Sequence, residues 1–369
     1  MSLAPLQQNK PFGLGNRFAG VKLTQANIDR VALLHKRFVK HERDGQRALL
    51  SGADLSGLNL ATGNFNEADF TSANLSNSCL RRAQLERANL FCTNLEYCDA
   101  TFANLKGADV RGATLRGADF SFATLDDADF RAAAMFRMGH EAEQKVSAGR
   151  PRKNSGGVDF TNCSLKGASL HHVTLKSAIF RNALLDRASF TKARISEVDL
   201  DGAVLTNIDP RDLPFPPEAL RNCVLDPGPE EIAKVDEVRD ILSAHEQWVV
   251  SGGKSGKSAN LDGYDLRPMR LLFKNRRLTA LSAKGAMAIG VDFSESQLQG
   301  AQLSGADLRD AGFSMADIRG ADLSGTKLAH ARFDKADVRP LALLSGSSRS
   351  VNLSGADYHE EQFSAALRE

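Results

Sequence analysis

The chain has 369 residues, of which 42% are hydrophobic and 25% charged, and its 47 basic and 45 acidic side chains leave a net charge of +2. This composition is ordinary for a folded protein of one or two domains, and it excludes a disordered chain and a highly charged polyelectrolyte. No stretch approaches the ~18 apolar residues of a membrane-spanning helix, and the N-terminus lacks the apolar core of a signal peptide. The five cysteines show no metal-ligand spacing, so we expect reduced thiols and a cytoplasmic protein.

The first predicted regular element is a helix that follows residues 1–23, an irregular segment with several glycines. Thr24 is a suitable N-cap, and the helix is predicted to extend to about His41. We assign residues 24–47 to this helix and its loop, and we expect the helix to cap the element that comes next. Its apolar residues recur at helical spacing on one face: Ile28, Val31, Leu34 and Phe38.

A five-residue period dominates the chain after this loop. Every fifth residue from Leu55 to Phe130 is bulky and apolar, with the single exception of Ala100. A small residue, most often alanine, stands two positions before each bulky one, and Asp or Asn usually lies between them. Such a period matches neither an α-helix nor a β-strand, and self-similarity at a fixed period predicts a solenoid whose repeats stack on a shared core.

The same count of five resumes at Phe160 and continues to Leu205. Because the register is kept, residues 131–157 are predicted to be a loop inserted into one continuous array that spans residues 48–225.

This insertion carries six basic and two acidic side chains, a net charge of +4. Its sequence GRPRK, with Arg150, Arg152 and Lys153, resembles the core of an AT-hook, which binds the minor groove of DNA. One short match is weak evidence, so nucleic-acid binding is not expected. Contact with a protein or a membrane surface, and a loop without function, are the other interpretations.

A second helix is predicted from about Pro229 to Val250, and residues 226–258 contain it together with a Gly/Lys/Ser loop. The loop includes the letters GKS that end a phosphate-binding P-loop. However, Ser251 stands where that motif has its first glycine, and a helix rather than a strand precedes the loop. We therefore interpret the loop as a linker.

Residues 259–369 form a second predicted array. Its inward positions are predicted at Leu261, Leu266 and Leu271, then at every fifth residue from Phe293 to Val338, and more weakly at Leu353, Tyr358 and Phe363. Both arrays follow a helix that contains a histidine, His35 before the first and His245 before the second, and then a glycine loop. We interpret this shared order as an internal duplication.

The letters GADLSG, SANLSN and RGADF resemble the A(D/N)LXX signature of the pentapeptide-repeat family, which is found in bacteria. The resemblance covers most of residues 50–209 and 259–363. It implies an all-β solenoid, namely a right-handed quadrilateral β-helix with four pentapeptides to a coil. For this chain we expect two such towers, each preceded by a capping α-helix.

Some members of that family mimic duplex DNA and bind type II topoisomerases such as gyrase. Duplex DNA carries about one negative charge per 1.7 Å, so four coils about 19 Å tall would need about 11 charges. Residues 51–130 have eleven acids and six bases, a net charge of −5, and residues 51–209 together are near −1. DNA mimicry is therefore the disfavoured alternative.

The leading hypothesis is a non-enzymatic scaffold that binds an unidentified protein partner, and self-association through the end of a tower is a further expected contact. An unrecognised enzyme or effector is the third hypothesis. No catalytic set, cofactor site or metal site is predicted. Besides the basic loop, the candidate contacts are an acidic corner and an aromatic pair on a coil of twenty residues: Asp69, Asp109 and Asp129, which share the corner with Asn89, and Phe102 with Phe122.

Overall fold

The computed structural model describes residues 18–132 and 157–367. The chain divides into two compact units, Met1–Leu225 and Asp226–Glu369, which we call unit 1 and unit 2. Each unit has its own hydrophobic core, and the two cores share no residue.

Each pentapeptide is a short extended segment followed by a tight turn. Leu75, at the large position, and Ala73, two residues before it, are 0% and 1% exposed. The N–H of Ser78 donates to the carbonyl oxygen of Leu75 at 3.2 Å, which closes a β-turn. Asn77, the second residue after the large one, has a φ of +59°, as the third residue of a type II turn does. A turn every five residues keeps the large and small side chains inside.

Four pentapeptides complete one coil, because residues twenty positions apart pair in parallel. The N–H of Leu75 donates to the carbonyl of Asn94 at 2.7 Å, and the N–H of Asn94 donates to the carbonyl of Ala73 at 2.9 Å. The extended segment of one coil thus finds its hydrogen-bond partners in its neighbours. Stability therefore depends on the contact between coils, as in other solenoids.

In unit 1, helix α1 (Gln25–Val39) precedes the first coil. The hydroxyl of Thr24 accepts from the N–H of Asn27, and the side chain of Asn27 accepts from the N–H of Thr24, which makes a capping box. The buried residues of α1 are Ile28 and His35.

The coils of unit 1 continue on the far side of the predicted insertion. Asp119 pairs in parallel with Asp159, forty residues further along the chain, so the same face resumes. Gly157 closes the gap tightly, since a Cβ atom there would lie 1.8 Å from the carbonyl oxygen of Ser177. Residues 133–156 lie outside the described residues.

Beyond the insertion, the named elements of unit 1 are two short strands and two 3-10 turns: β1 (Thr174–Lys176), β2 (Arg194–Ser196), Pro210–Asp212 and Pro217–Leu220. The strands pair in parallel, with Thr174 opposite Arg194. Phe215, between the 3-10 turns, packs edge-on against Phe190 with ring centroids 5.2 Å apart.

Unit 2 begins with two consecutive helices, α2 (Pro229–Ala233) and α3 (Val235–Val250), where the sequence predicts one. Lys234 ends α2, because its N–H bonds back to the carbonyl of Glu231 in a tighter turn. Ile232, in α2, is 55% exposed. In the described part of the chain no helix is long and apolar enough to span a membrane.

The first coil of unit 2 has twenty-two residues where the five-residue period predicts twenty. A 3-10 turn, Arg267–Met269, adds the extra residues, so Asn260 pairs with Ser282 at a spacing of twenty-two. Leu271, predicted to point inward, is 71% exposed, and Phe273 fills the core instead. After Leu278, alanine occupies the next two large positions, so the pattern of bulky residues does not show where the register starts: Ala283 and Ala288.

A column of five phenylalanines runs through unit 2: Phe273, Phe293, Phe313, Phe333 and Phe363. Successive ring centroids lie 5.2, 5.2, 4.9 and 4.1 Å apart. The last step spans thirty residues, because an antiparallel hairpin of β3 (Leu341–Ala342) and β4 (Ser348–Arg349) is extruded from the coil.

Candidate interaction surfaces

The acidic candidates of unit 1 lie on one ladder. Parallel pairing joins Asp69 to Asn89, Asn89 to Asp109, and Asp109 to Asp129, so these four residues stack along a single corner. We call this corner the Asp69 ladder.

Arginine side chains neutralise much of the ladder. Arg111 binds Asp109 through two hydrogen bonds of 2.8 and 2.6 Å, and its Nε lies 3.7 Å from a carboxylate oxygen of Asp129. Arg131 binds Asp129 at 2.7 Å. Although burial raises the pKa of Asp129, the hydrogen bonds from Arg131 outweigh it and hold that pKa below its usual value. Asp129 is therefore ionised, and the carboxylates of Asp109 and Asp129 are both paired with arginines, unlike the unpaired phosphates of DNA.

Asp69 is held differently, by hydroxyl groups. Its carboxylate accepts from Thr71 at 2.6 Å and from Ser51 at 2.8 Å. Burial by itself raises the pKa of Asp69, but these hydrogen bonds lower it by more, so the pKa lies below its usual value. This end of the ladder keeps its negative charge.

The pairing of Asp109 with Arg111 is one case of a local motif that the sequence reading missed. An Asp just before the large residue accepts the backbone N–H of the residue just after it, and when that residue is Arg its guanidinium binds the same carboxylate. The spacing Asp-x-Arg is the signal that predicts it. Among the described residues the motif occurs at Asp109–Arg111, Asp129–Arg131, Asp209–Arg211, Asp265–Arg267, Asp307–Arg309, Asp317–Arg319 and Asp337–Arg339.

The aromatic candidates stack, as residues twenty apart should. The rings of Phe102 and Phe122 are 5.0 Å apart and nearly parallel, at 13°. The guanidinium groups of Arg81 and Arg82 lie 5.8 and 5.7 Å from the centre of the Phe102 ring. Both rings are half-buried.

A second aromatic contact stands beside the Asp69 ladder and was not predicted. The guanidinium of Arg111 lies 5.4 Å from the centre of the Phe91 ring, within cation–π range. Phe91 directly follows the large residue after Asn89, so it faces outward next to the ladder. The basic candidates Arg150, Arg152 and Lys153 lie outside the described residues.

A buried histidine links each long helix to the coil that follows it. Nδ1 of His35 accepts the N–H of Ala48 at 3.0 Å, and Nδ1 of His245 accepts the N–H of Ala259 at 3.0 Å. Nε2 of His35 lies 2.9 Å from the carbonyl of Asn66, so it carries the proton and donates it. Burial lowers the pKa of both histidines. The neutral ring is therefore the form that fits.

The last described coil of unit 2 forms an open cavity of about 580 Å³. It is lined mainly by apolar side chains, among them Val338, Leu353, Tyr358 and Phe363. Within residues 18–132 and 157–367 no group of three or more His, Cys, Asp or Glu side chains is placed to hold a metal ion.

Comparison with known proteins identifies the repeats. A family model described as pentapeptide repeats matches in 8 copies that together cover just over half of the chain: residues 48–87, 68–101, 93–131, 156–182, 168–207, 289–325 and 313–339. A search of curated proteins found no significant match.

Similar solved structures include three repeat proteins of low identity. Full-length QnrB1, a plasmid-mediated fluoroquinolone resistance protein, is 15% identical over 86% of this chain and 95% of its own, with a TM-score of 0.21. HetL, a pentapeptide repeat protein involved in heterocyst differentiation regulation in Nostoc sp. strain PCC 7120, is 19% identical over 87% and 89%, with a TM-score of 0.13. Rfr23 from Cyanothece 51142 is 18% identical over 47% and 88%, with a TM-score of 0.17. No functional conclusion follows from scores this low.

Proposed function

Because this chain belongs to the pentapeptide-repeat family, whose fold is a right-handed quadrilateral β-helix, we propose that it is a non-enzymatic scaffold that binds a protein partner. The bulky residues of the repeats point inward and are used by the core, so binding falls to the outward side chains. These recur every twenty residues as ladders on flat faces. Regular, rigid faces of this kind suit the recognition of a macromolecule.

The Asp69 ladder with Phe91 and Arg111 is the face we propose for the partner. It combines an aromatic ring, an arginine and carboxylates, and aromatic and arginine side chains carry much of the energy of protein interfaces. The stacking of Arg111 on Phe91 is the single observation that favours this face. Phe102 with Phe122, and the basic residues of the insertion, are further proposed contacts.

Direct binding by purified proteins tests this proposal. A partner captured from bacterial lysate on the full chain is purified, and its Kd is measured for wild type, Arg111→Glu and Phe91→Ala. We expect each variant to weaken binding at least tenfold. Arg116→Glu, an exposed arginine on another face, is the matched control and keeps the wild-type Kd. Equal binding by all four chains removes the Asp69 ladder as the contact.

Gyrase inhibition by DNA mimicry is the alternative, and the charges disfavour it. The ion pairs of Arg111 and Arg131 shield a corner that a mimic would leave bare. We expect a supercoiling assay to show no inhibition and no drug protection at a large molar excess of this protein. Inhibition at an amount of this protein stoichiometric with gyrase would make DNA mimicry the leading hypothesis and the scaffold the alternative.

We also propose that each unit is one tower with its own cap, α1 for residues 48–225 and α3 for residues 259–369. The matching bonds of His35 to Ala48 and of His245 to Ala259 support this duplication. A reducing, cytoplasmic location belongs to the same proposal, since Cys163 is a fully buried cysteine outside any disulfide, at a small inward position of its repeat. Hydrogen exchange of the Ala48 and Ala259 amides tests the caps, and fast exchange at both contradicts them.

A further inference from the structure

The two helical segments that share a plan carry opposite charges. Residues 18–47, here called the α1 segment, contain seven bases and three acids, a net charge of +4. Residues 226–258, the α2–α3 segment, contain seven acids and four bases, a net charge of −3. The seventeen residues before the α1 segment add two bases and no acid, so they do not offset its charge.

The outer face of α1 is basic around an apolar centre. Arg30, Leu33 and Arg37 lie on one side of the helix, opposite the buried Ile28 and His35. All three are exposed, and Leu33 is 53% accessible. Within the described residues no ion pair joins Arg30 or Arg37 to an acid. Two arginines on either side of an exposed leucine resemble the polar rim and the apolar centre of a protein interface.

The outer face of α3 is the complement. Asp236 and Asp240 lie opposite the buried residues Val238 and Leu242, and both are exposed. Arg239 binds Asp236, whereas no ion pair joins Asp240 to a base among the described residues. Exposed apolar side chains lie towards the two ends of this segment: Ile232 in α2, at 55%, and Val250 at the end of α3, at 63%.

We propose that the outer face of α1 docks against the outer face of α3 in a second copy of this chain. A basic and an acidic helix face attract each other, and the exposed apolar side chains of the two segments add area that the contact removes from water. The contact joins two different surfaces. If each of two copies offers its α1 to the α3 of the other, a closed dimer forms; if each copy contacts a further copy instead, a longer chain of copies forms. It uses neither Phe91 nor Arg111, so it goes beyond the proposed partner binding.

Sedimentation velocity with charge-swapped variants tests this docking. Wild-type protein is expected to self-associate at low ionic strength and to dissociate at high salt, because exposed charges are screened. Arg30→Glu with Arg37→Glu makes the outer faces of both helices acidic, and Asp236→Lys with Asp240→Lys makes both outer faces basic. Each variant alone is expected to be monomeric, with its self-association weakened at least tenfold. An equimolar mixture of the two restores the complex, since every contact again joins unlike charges.

Two variants keep the test interpretable. Asp240 lies away from the start of α3, so Asp240→Lys alone replaces the double variant if circular dichroism shows that the double change perturbs folding. Lys106→Glu with Lys284→Glu reverses two exposed cations outside both segments and keeps the wild-type association.

A wild type that stays monomeric at every concentration in low salt, or a mixture that does not associate, overturns the proposal. If the wild type is monomeric but binds duplex DNA through Arg30 and Arg37, the α1 face belongs to nucleic acid instead. The monomeric variants are expected to keep the binding of a protein partner through the Asp69 ladder, so the failure of one proposal is distinguishable from failure of the other.

Discussion

The turn residue is the position at which single side chains most constrain these coils. Most repeats have a positive φ two residues after the large side chain, and non-glycine residues adopt it at many of these positions, including Glu67 at +60° and Phe102 at +60°. A left-handed backbone costs a non-glycine residue about 1 kcal/mol. The many polar or bulky turn residues therefore store strain that the stacking of the coils offsets.

Gly305 isolates this backbone cost. Its φ is +69°, and an added Cβ would meet no atom within 4 Å. We expect Gly305→Ala to lower the free energy of unfolding by about 1 kcal/mol, measured by urea denaturation. Gly305→Asn is the control and costs less, because asparagine tolerates the left-handed region. An alanine variant as stable as wild type contradicts the strain argument.

Asp209 shows what the Asp-x-Arg motif does to a carboxyl group. Hydrogen bonds from Arg211 lower the pKa of Asp209 to about 2. A lowered carboxyl pKa stabilises the fold above the unfolded value of 3.8, and that stabilisation is lost as the pH falls through about 2. We expect an NMR titration to place Asp209 near that value, and Arg211→Gln to raise it towards 3.8. An unchanged pKa in the variant contradicts this role of the arginine.

At the scale of elements, the helix-to-coil joint is sensitive to acid. His35 and His245 accept backbone N–H groups, and a protonated ring cannot accept them. Since the folded pKa of each lies below the unfolded 6.5, their stabilisation is complete above 6.5 and is lost as the pH falls through the folded pKa. The charges that act on them are Arg47 and Glu67 at His35, and Glu246 at His245.

We therefore expect the Tm of this protein to fall as the pH decreases below about 6.5. Replacing both histidines by glutamine, whose amide accepts and donates at any pH in this range, is expected to flatten the pH dependence while lowering stability at pH 7. If the Tm of the variant depends on pH as steeply as that of wild type, other groups cause the loss of stability in acid.

The sequence predicts the elements well where a period or a cap decides them. The column from Leu55 to Phe130 and the cap at Thr24 depend on local pattern alone. The prediction for Leu271 was wrong because the 3-10 turn Arg267–Met269 adds two residues, so Phe273 takes the inward position instead. The stacking of Phe91 under Arg111 was missed, since side chains on neighbouring coils meet only once the coil length is known.

At the scale of the molecule, the separate cores of the two units predict separate unfolding. Phe313 lies at the middle of the unit 2 phenylalanine column and is fully buried. We expect Phe313→Ala to destabilise unit 2 by about 3–5 kcal/mol and to shift only one of two transitions in calorimetry. Met315→Ala, nearby but 61% exposed, is the control and moves neither transition. A single transition that shifts as a whole would mean that the units unfold together.

The spacing of the parallel pairs behaves like a reading frame. Pairs normally lie twenty residues apart, and the two large insertions raise this to forty at Asp119 and Asp159 and to thirty at Asp322 and Asn352, both multiples of five. Each addition leaves the inward frame unchanged downstream, whereas the two residues added at Arg267–Met269 shift it. A loop grafted at a turn should therefore keep the downstream count of five when it adds five residues or a multiple of five. Any other length should shift that count, while the later inward residues still fill the core, as Phe273 does.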